Sequence, residues 1–352
     1  MPQQWRIAII GTGVVGMMHL RTLHNLPNCR VAAVCDVDSE KARAALASTG
    51  WSVPIYTDIN EMFRREKLDS VHICTPSGDH LRPAITSMSH GVNVLVEKPM
   101  EIVPERIDEM IDASKKHGVR LAGIFQNRWN EANIALRDAV RQNRFGKIAW
   151  VGVVTPWYRS NEYYEEGGWR GTWKWDGGGA VMNQGVHQVD QMQWIAGPVK
   201  TVSAFASSRI HPKIEVEDTL CCAVQFESGA FGTFVSTTAM WPGAATRIEI
   251  GGEFGSAISE NGLKRFEFKE PLPGDQELIA RLSPAISRDT GGGKSATDVG
   301  LDLHGLNFQA VYEAWDQGRD AETCGPEARK AVAIIHAMYQ SSRQNGVPIA
   351  VK

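Results

Sequence analysis

An α/β fold is predicted, with a doubly wound parallel sheet in the first third and an α+β domain on a large, mostly antiparallel sheet after it. Three observations carry the prediction. Short apolar strands alternate with helix-length polar segments up to about residue 125. A glycine-rich turn joins the first strand to the first helix. Beyond residue 200, several strands follow one another with no helix between them, as an antiparallel sheet requires. The chain of 352 residues has room for two domains, read as 1–124 and 125–352.

The first strand, 5–10, is apolar and ends in Gly11-Thr12-Gly13-Val14-Val15-Gly16, with a helix over 17–25. In a G-x-G-x-x-G turn the first glycine makes the bend and the second lets the backbone approach a pyrophosphate. The third lets helix and strand pack closely. The helix N-terminus then offers N–H groups to phosphate. This is the Rossmann fingerprint, and it makes Gly11, Thr12, Gly13, Val14 and Val15 candidate cofactor contacts. A second strand, 30–35, ends in Asp36, 20 residues beyond Gly16. An acidic residue there accepts from ribose hydroxyls and repels a 2′-phosphate, and the next arginine is only Arg43, so NAD is expected rather than NADP. A helix cap is the other reading of Asp36; Val37 beside it joins the cofactor set.

Helices over 39–47 and 59–66 flank a short 56–57 segment, and strand 70–75 ends in Thr75-Pro76-Ser77. Ligands of open α/β sheets bind outside the carboxyl ends of the strands. Thr75, Pro76 and His80, which opens the helix over 79–90, are therefore expected to border the cofactor; His80 could equally be a surface helix residue. The next strand, Val92-Asn93-Val94-Leu95-Val96, reads as buried on both faces and stops at Glu97-Lys98-Pro99. Lys98 stands at the mouth of a cofactor cleft or is simply solvated. A helix over 104–117 and a strand over 120–125 complete the sheet, with Gln126 at its end.

After Gln126 a helix over 131–142 and a strand over 148–155 lead to an aromatic loop, 157–175, too long to be a plain connection and too aromatic to be disordered. Gly177-Gly178-Gly179 precedes a helix over 180–195. Asn183 and His187, four apart, would share one face of it, with Asp190 in reach of the His187 ring. A satisfied core histidine is the alternative. Strands are read at 201–207, 217–226, 230–240, 246–251, 256–259 and 263–269, then helices at 301–317 and 326–345 and an edge strand at 348–351. Gly291-Gly292-Gly293 reads as a mobile loop.

Lys and Arg number 37 against 40 Asp and Glu, a net charge of −3, which offers nothing to nucleic acid. No charge-free stretch suits a spanning helix, and the chain begins without the pattern of a leader, so a cytoplasmic protein with no membrane partner is expected. The six cysteines have no metal-like spacing and read as reduced and structural; no metal is expected.

The glycine turn, Glu97-Lys98-Pro99, and Gly177-Gly178-Gly179 with Asn183, His187 and Asp190 occur together in an order that resembles the glucose–fructose oxidoreductase/inositol dehydrogenase (Gfo/Idh/MocA) family over essentially the whole chain. Trp169-Arg170 is similar to a pair that reaches the cofactor in some members. The resemblance implies an NAD(P)-dependent oxidoreductase acting on a ring CH–OH of a sugar, sugar acid, nucleotide sugar or cyclitol, with Lys98 and His187 at the hydride-transfer site. Glu97 would contact the cofactor or buttress Lys98. Inositol-type members carry Asp where this chain has Asn183, whereas members resembling nucleotide-sugar 3-dehydrogenases carry Asn. The resemblance also implies a homodimer or homotetramer.

The chemistry is consistent: as hydride leaves a carbinol carbon, its hydroxyl needs a base, a task suited to His187, and the developing alkoxide a cation, suited to Lys98. Asn127, Arg128, Tyr158 and Arg159 are candidate donors to substrate hydroxyls or a carboxylate, with His304 of similar status. Two other readings remain. In a redox-neutral, NAD-dependent glycoside hydrolase, Tyr158, Tyr163 or Tyr164 would serve as base. A non-catalytic NAD-bound regulator fits less well, since the chain keeps both Lys98 and His187.

Overall fold

Two compact units divide the chain in a computed structural model that describes residues 4–166, 168–283 and 301–352. One unit comprises Met1–Gln126 and Ser295–Arg329, the other Asn127–Lys294 and Lys330–Lys352. The glycine run at 291–293 lies outside the described residues.

The first unit holds six strands: β1 (Trp5–Ile10), β2 (Cys29–Cys35), β3 (Ile55–Tyr56), β4 (Ser70–Ile73), β5 (Asn93–Val96) and β6 (Leu121–Gly123). All pair in parallel, in the order β3-β2-β1-β4-β5-β6. Ile7, Ile9, Val31, Val34, Val71, Ile73, Val94, Leu95 and Val96 are wholly buried, which is why these strands read as unbroken apolar runs rather than alternating ones. The order reverses between β1 and β4, the switch point where open sheets of this kind bind ligands. The carboxyl ends of β1, β4 and β5 carry Gly11, Thr75 and Lys98 there.

The helix Leu301–Asp316, read within 125–352 as one of the C-terminal helices packing back, groups with the first unit. Phe308, Val311, Tyr312 and Trp315 on its buried face join Trp5, Leu20 and Leu95 in one core, and the Trp5 indole donates to Asp316 at 3.0 Å. A helix docks where its apolar stripe is buried, and position along the chain does not record where that is.

The second unit is built on eight strands: β7 (Ile148–Pro156), β8 (Val199–Ser207), β9 (Thr219–Phe226), β10 (Phe231–Thr237), β11 (Arg247–Gly252), β12 (Gly255–Ser259), β13 (Leu263–Phe268) and β14 (Ile349–Ala350). Their order is β13-β12-β11-β7-β10-β9-β8-β14, antiparallel throughout except between β7 and β10. Leu220, Cys222, Val224 and Phe226 of β9 are buried and alternate with more exposed neighbours. The helices Glu131–Arg141 and Val186–Ala196 lie within this unit and pack on each other and on β12 and β7. Phe205 and Phe231, on β8 and β10, keep 64% and 63% of their surface exposed, leaving large apolar side chains on the sheet.

Among the described residues no helix is long and apolar enough to cross a membrane, and no cluster of three or more His, Cys, Asp or Glu could hold a metal. All six cysteines are free, and burial pushes the Cys35 thiol up to about 11, the condition of an unreactive thiol.

Candidate active site

In the first unit the helix Val14–Leu23 starts at the glycine turn with Gly13 as its N-cap, and no side chain caps it, so its first N–H groups point outward from the turn. Gly11 has φ +89°, and a Cβ on it would lie 2.6 Å from the Cys74 carbonyl oxygen; one on Gly16 would lie 2.1 Å from the Gly11 oxygen. At Gly13 a Cβ would meet only the Lys41 side chain, no closer than 3.6 Å. Two glycines are thus demanded by packing, and the third leaves room beside the helix N-terminus. Asp36 Oδ2 accepts from Thr12 N and Thr12 Oγ1, each at 2.7 Å, and Oδ1 from Asp38 N at 3.0 Å. A carboxylate offers about four acceptor positions, so Asp36 locks the turn and still has capacity for a ribose hydroxyl. These residues fit a dinucleotide: phosphate on the helix N-terminus, ribose on Asp36. Val14 and Val15 form the first turn, and Val37, 89% exposed, lies beside Asp36.

Lys98 is half-buried, and its main-chain N–H donates to Glu97 Oε2 at 2.9 Å. Glu97 Oε1 is 2.8 Å from His19 Nε2, His19 Nδ1 is 2.9 Å from His72 Nδ1, and His72 Nε2 is 2.7 Å from the Tyr312 hydroxyl, which donates to Ser70 at 3.2 Å. Every member of this chain is buried. Burial alone would raise the Glu97 carboxyl, but the hydrogen bond and charge of His19, with His304 and Lys98 nearby, hold it well below the usual carboxylate range. Burial, reinforced by His19, pushes His72 well below the usual histidine value, so His72 is neutral. Glu97 is therefore an anion that fixes the backbone beneath Lys98 and is fixed in turn from the helix Val14–Leu23. His304 is buried, its ring centroid 6.4 Å from that of His19. His19→Asn, too short for the Glu97 contact, is expected to lower stability by about 2–3 kcal/mol, because a buried charged acceptor loses its donor. Urea unfolding reads this out, and an unchanged midpoint would remove the energetic role given to the pair.

His80 is not a surface helix residue: Nε2 is 2.9 Å from the Thr75 carbonyl oxygen, and Nδ1 is 3.0 Å and 3.2 Å from the carbonyl oxygens of Pro99 and Met100. The ring is 1% exposed and ties the end of β4 to the turn after Lys98. Thr75 Oγ1 donates to Asp79 O at 3.0 Å, and Pro76 precedes the short turn Ser77–Asp79. Glu101 secures the same stretch, accepting from Leu81 N, Ile102 N and Arg106. Gln126 is buried at the end of the unit.

In the second unit the expected single helix over 180–195 is two elements: a π-helical turn Ala180–Gly185 carrying Asn183, then an α-helix Val186–Ala196 whose first turn carries His187. Asn183 and His187 thus do not follow the simple i, i+4 geometry. The cause is Glu217, whose Oε2 and Oε1 accept from Gly179 N at 3.0 Å and Val181 N at 2.9 Å while its main-chain oxygen accepts from Ala180 N at 3.0 Å. Three successive amides bind a neighbouring strand end, and the ladder restarts with a π turn. A Cβ at Gly179 would lie 1.7 Å from the Glu217 oxygen, so only glycine permits this approach. Tyr339 also donates to Glu217, and burial pushes that carboxyl up to about 7.

Arg128, a sequence candidate for a substrate donor, is buried in a bidentate pair with Asp190, Nε to Oδ2 at 2.8 Å and Nη2 to Oδ1 at 2.5 Å. Asp190 Oδ1 also accepts from Gln193 Nε2 at 3.4 Å. Asn127 opens this unit, its carbonyl accepting from Asn133 Nδ2. Tyr158 is half-buried and bridges to Ala239. Arg159 is buried, donating to the Tyr158 carbonyl, with its guanidinium 5.3 Å from the centre of the Tyr163 ring; Arg170 lies 4.6 Å from that ring and 5.3 Å from Trp169. His187 is buried.

Sequence reasoning missed His19, His72, Asp176 and Glu217. A signal existed for two of them: His19 lies on the core side of an amphipathic helix and His72 inside a strand buried on both faces, where a polar residue needs a partner.

A parallel sheet with this glycine turn and a carboxylate at the end of its second strand defines the class of NAD-binding oxidoreductases with a Rossmann fold. Within that class the chain belongs to the GFO/IDH/MocA family: residues 5–125 match the model described as oxidoreductase family, NAD-binding Rossmann fold, and residues 134–258 match the GFO/IDH/MocA C-terminal domain. Its fold is similar to the WlbA dehydrogenase of Bordetella pertussis, solved with NADH and UDP-GlcNAcA, at 31% identity and a TM-score of 0.88 over 99% of this chain and 98% of that one. D-apiose dehydrogenase of Paraburkholderia graminis is 24% identical across 97% of this chain and 88% of its own. The rhizopine catabolism protein MocA of Rhizobium meliloti is 28% identical over 58% of this chain; that match spans 62% of MocA, less than two thirds of its length.

Proposed function

We propose that this oxidoreductase is an NAD-dependent dehydrogenase that oxidises a ring hydroxyl of a sugar derivative, with a nucleotide-linked sugar acid as substrate class. The likeness to WlbA over nearly the full length of both chains carries the substrate class, since that protein was solved with a nucleotide sugar. Asn183 in place of the aspartate of inositol-type relatives points the same way.

The glycine turn and Asp36 of the first unit would hold NAD, which would supply the hydride acceptor. His187 takes the proton of the reacting hydroxyl, and the Lys98 ammonium stabilises the alkoxide that forms as the proton departs. Glu97 holds the Lys98 backbone through the 2.9 Å bond to its amide, so the side chain works from a fixed base. Asn183 positions a second substrate hydroxyl. Tyr158, Trp169 and Arg170 supply aromatic and cationic groups in the second unit suited to a phosphate or carboxylate of cofactor or substrate. The large apolar side chains left on the sheet, Phe205 and Phe231, suit burial against a second copy, so a homo-oligomer is part of the proposal.

A tyrosine base, as redox-neutral glycoside hydrolysis would use, is disfavoured at Tyr163 and Tyr164. Burial pushes both phenols above their usual value, so tyrosinate is scarce at neutral pH. The test is a screen of the purified protein with NAD against inositols, free hexoses, uronic acids, and nucleotide sugars with and without a carboxylate. Turnover is expected to favour the nucleotide-linked acids; a clear preference for inositols or free hexoses would refute the substrate assignment.

A further inference from the structure

Asp176 stands just before the triple glycine, is 1% exposed, and binds two segments at once. Its Oδ2 accepts from Gly171 N at 2.9 Å, in the loop that carries Trp169 and Arg170, and its Oδ1 accepts from Asn183 Nδ2 at 2.7 Å, in the π turn. Both Asp176 oxygens accept, so the amide group of Asn183 turns its NH2 toward Asp176 and its Oδ1 away. A carboxylate at position 183 would instead meet Asp176 oxygen to oxygen. We propose that Asp176 is a positioning residue that fixes Asn183 as the acceptor for a donating substrate hydroxyl, and that its buried carboxylate is why position 183 holds an amide.

The assignment of Asn183 to substrate rests on the proposed function; the pairing of Asp176 with Asn183 does not. Titratable groups near Asp176 include Tyr163 and Tyr164 from the helix Asn161–Glu165 and Tyr339 from the C-terminal helix with its partner Glu217, with Arg159 and Arg170 over Tyr163. Glu217 titrates near neutrality in the wild type as well, so the difference between variants carries the test.

The experiment compares wild type, Asn183→Asp, Asp176→Asn and the double exchange Asp176→Asn/Asn183→Asp by thermal unfolding from mildly acid to mildly alkaline pH. In Asn183→Asp the two carboxyls cannot both ionise, so one is protonated in the folded state with its pKa raised. The stability that this proton provides is present below the unfolded carboxyl pKa and is lost as pH rises through the folded one. That variant is expected to match wild type in mild acid and to melt progressively earlier as pH rises. The double exchange restores one donor facing one acceptor, while the amide oxygen introduced at position 176 still accepts from Gly171 N, and is expected to recover the wild-type profile. Asn183→Asp behaving like wild type at every pH would overturn the pairing.

Steady-state kinetics test the positioning role. Asp176→Asn leaves two amides facing each other and frees Asn183 to turn, so KM for the sugar substrate is expected to rise about tenfold or more, the effect of roughly one hydrogen bond, with KM for NAD unchanged. An unchanged sugar KM alongside the expected melting profiles would retain the pairing and overturn the positioning role. If no sugar substrate is found at all, the melting arm still decides the pairing, so failure of the proposed function is told apart from failure of this one.

Discussion

Replacing Lys98 by alanine is expected to lower kcat by about 100-fold or more, as is replacing His187, with NAD binding weakened far less. The asymmetry follows from where each group is held. The dinucleotide would rest on the uncapped helix start at Gly13 and on Asp36, which is fixed by three hydrogen bonds of its own. Neither variant touches those contacts. Lys98→Ala also leaves the turn intact, because Glu97 grips the lysine through its main-chain N–H. The loss thus falls on stabilisation of the alkoxide and on proton removal. Fluorescence titration with NADH and steady-state kinetics separate the two effects. Near-full turnover in either variant would contradict its assigned role.

The largest loss of stability is expected at Arg128, buried in its pair with Asp190. Asp190 is about as inaccessible as its partner, and removing the guanidinium leaves a carboxylate buried without its bidentate donor. Arg128→Ala is expected to cost about 3–5 kcal/mol, whereas Arg128→Met combined with Asp190→Leu is expected to recover most of it, because an apolar pair avoids desolvating two charges. Chemical unfolding measures both. A loss below about 1 kcal/mol in the single variant would mean that the pair is solvated, as exposed pairs are.

Arg128 also marks the limit of what the sequence discloses. Charged residues near a strand end read as site residues because loops of α/β folds carry function, and for Lys98 the reading leads to a half-buried side chain on a fixed turn. The same reasoning places Arg128 and His80 toward ligands, yet one is sealed in an ion pair and the other clamps three main-chain carbonyls. Nothing in residue type separates a polar side chain that meets a ligand from one that satisfies the interior; burial does, and burial is a property of the fold. The parallel sheet is legible because strands buried on both faces are mostly apolar, a buried polar residue such as His72 needing a partner, and the second sheet because β9 alternates. The π turn is not legible, since it exists through Glu217, more than thirty residues away, capturing the amides of Gly179 and Val181. The triple glycine is its only trace.

Net transfer of hydride from a sugar carbon to NAD is tested most directly by incubating the purified protein with NAD and a UDP-linked hexuronic acid and following the near-ultraviolet absorbance of reduced nicotinamide. At least one equivalent of reduced cofactor per chain is expected, with a keto sugar formed in equal amount. Release of the nucleotide or another aglycone with no reduced cofactor and no keto sugar would contradict it.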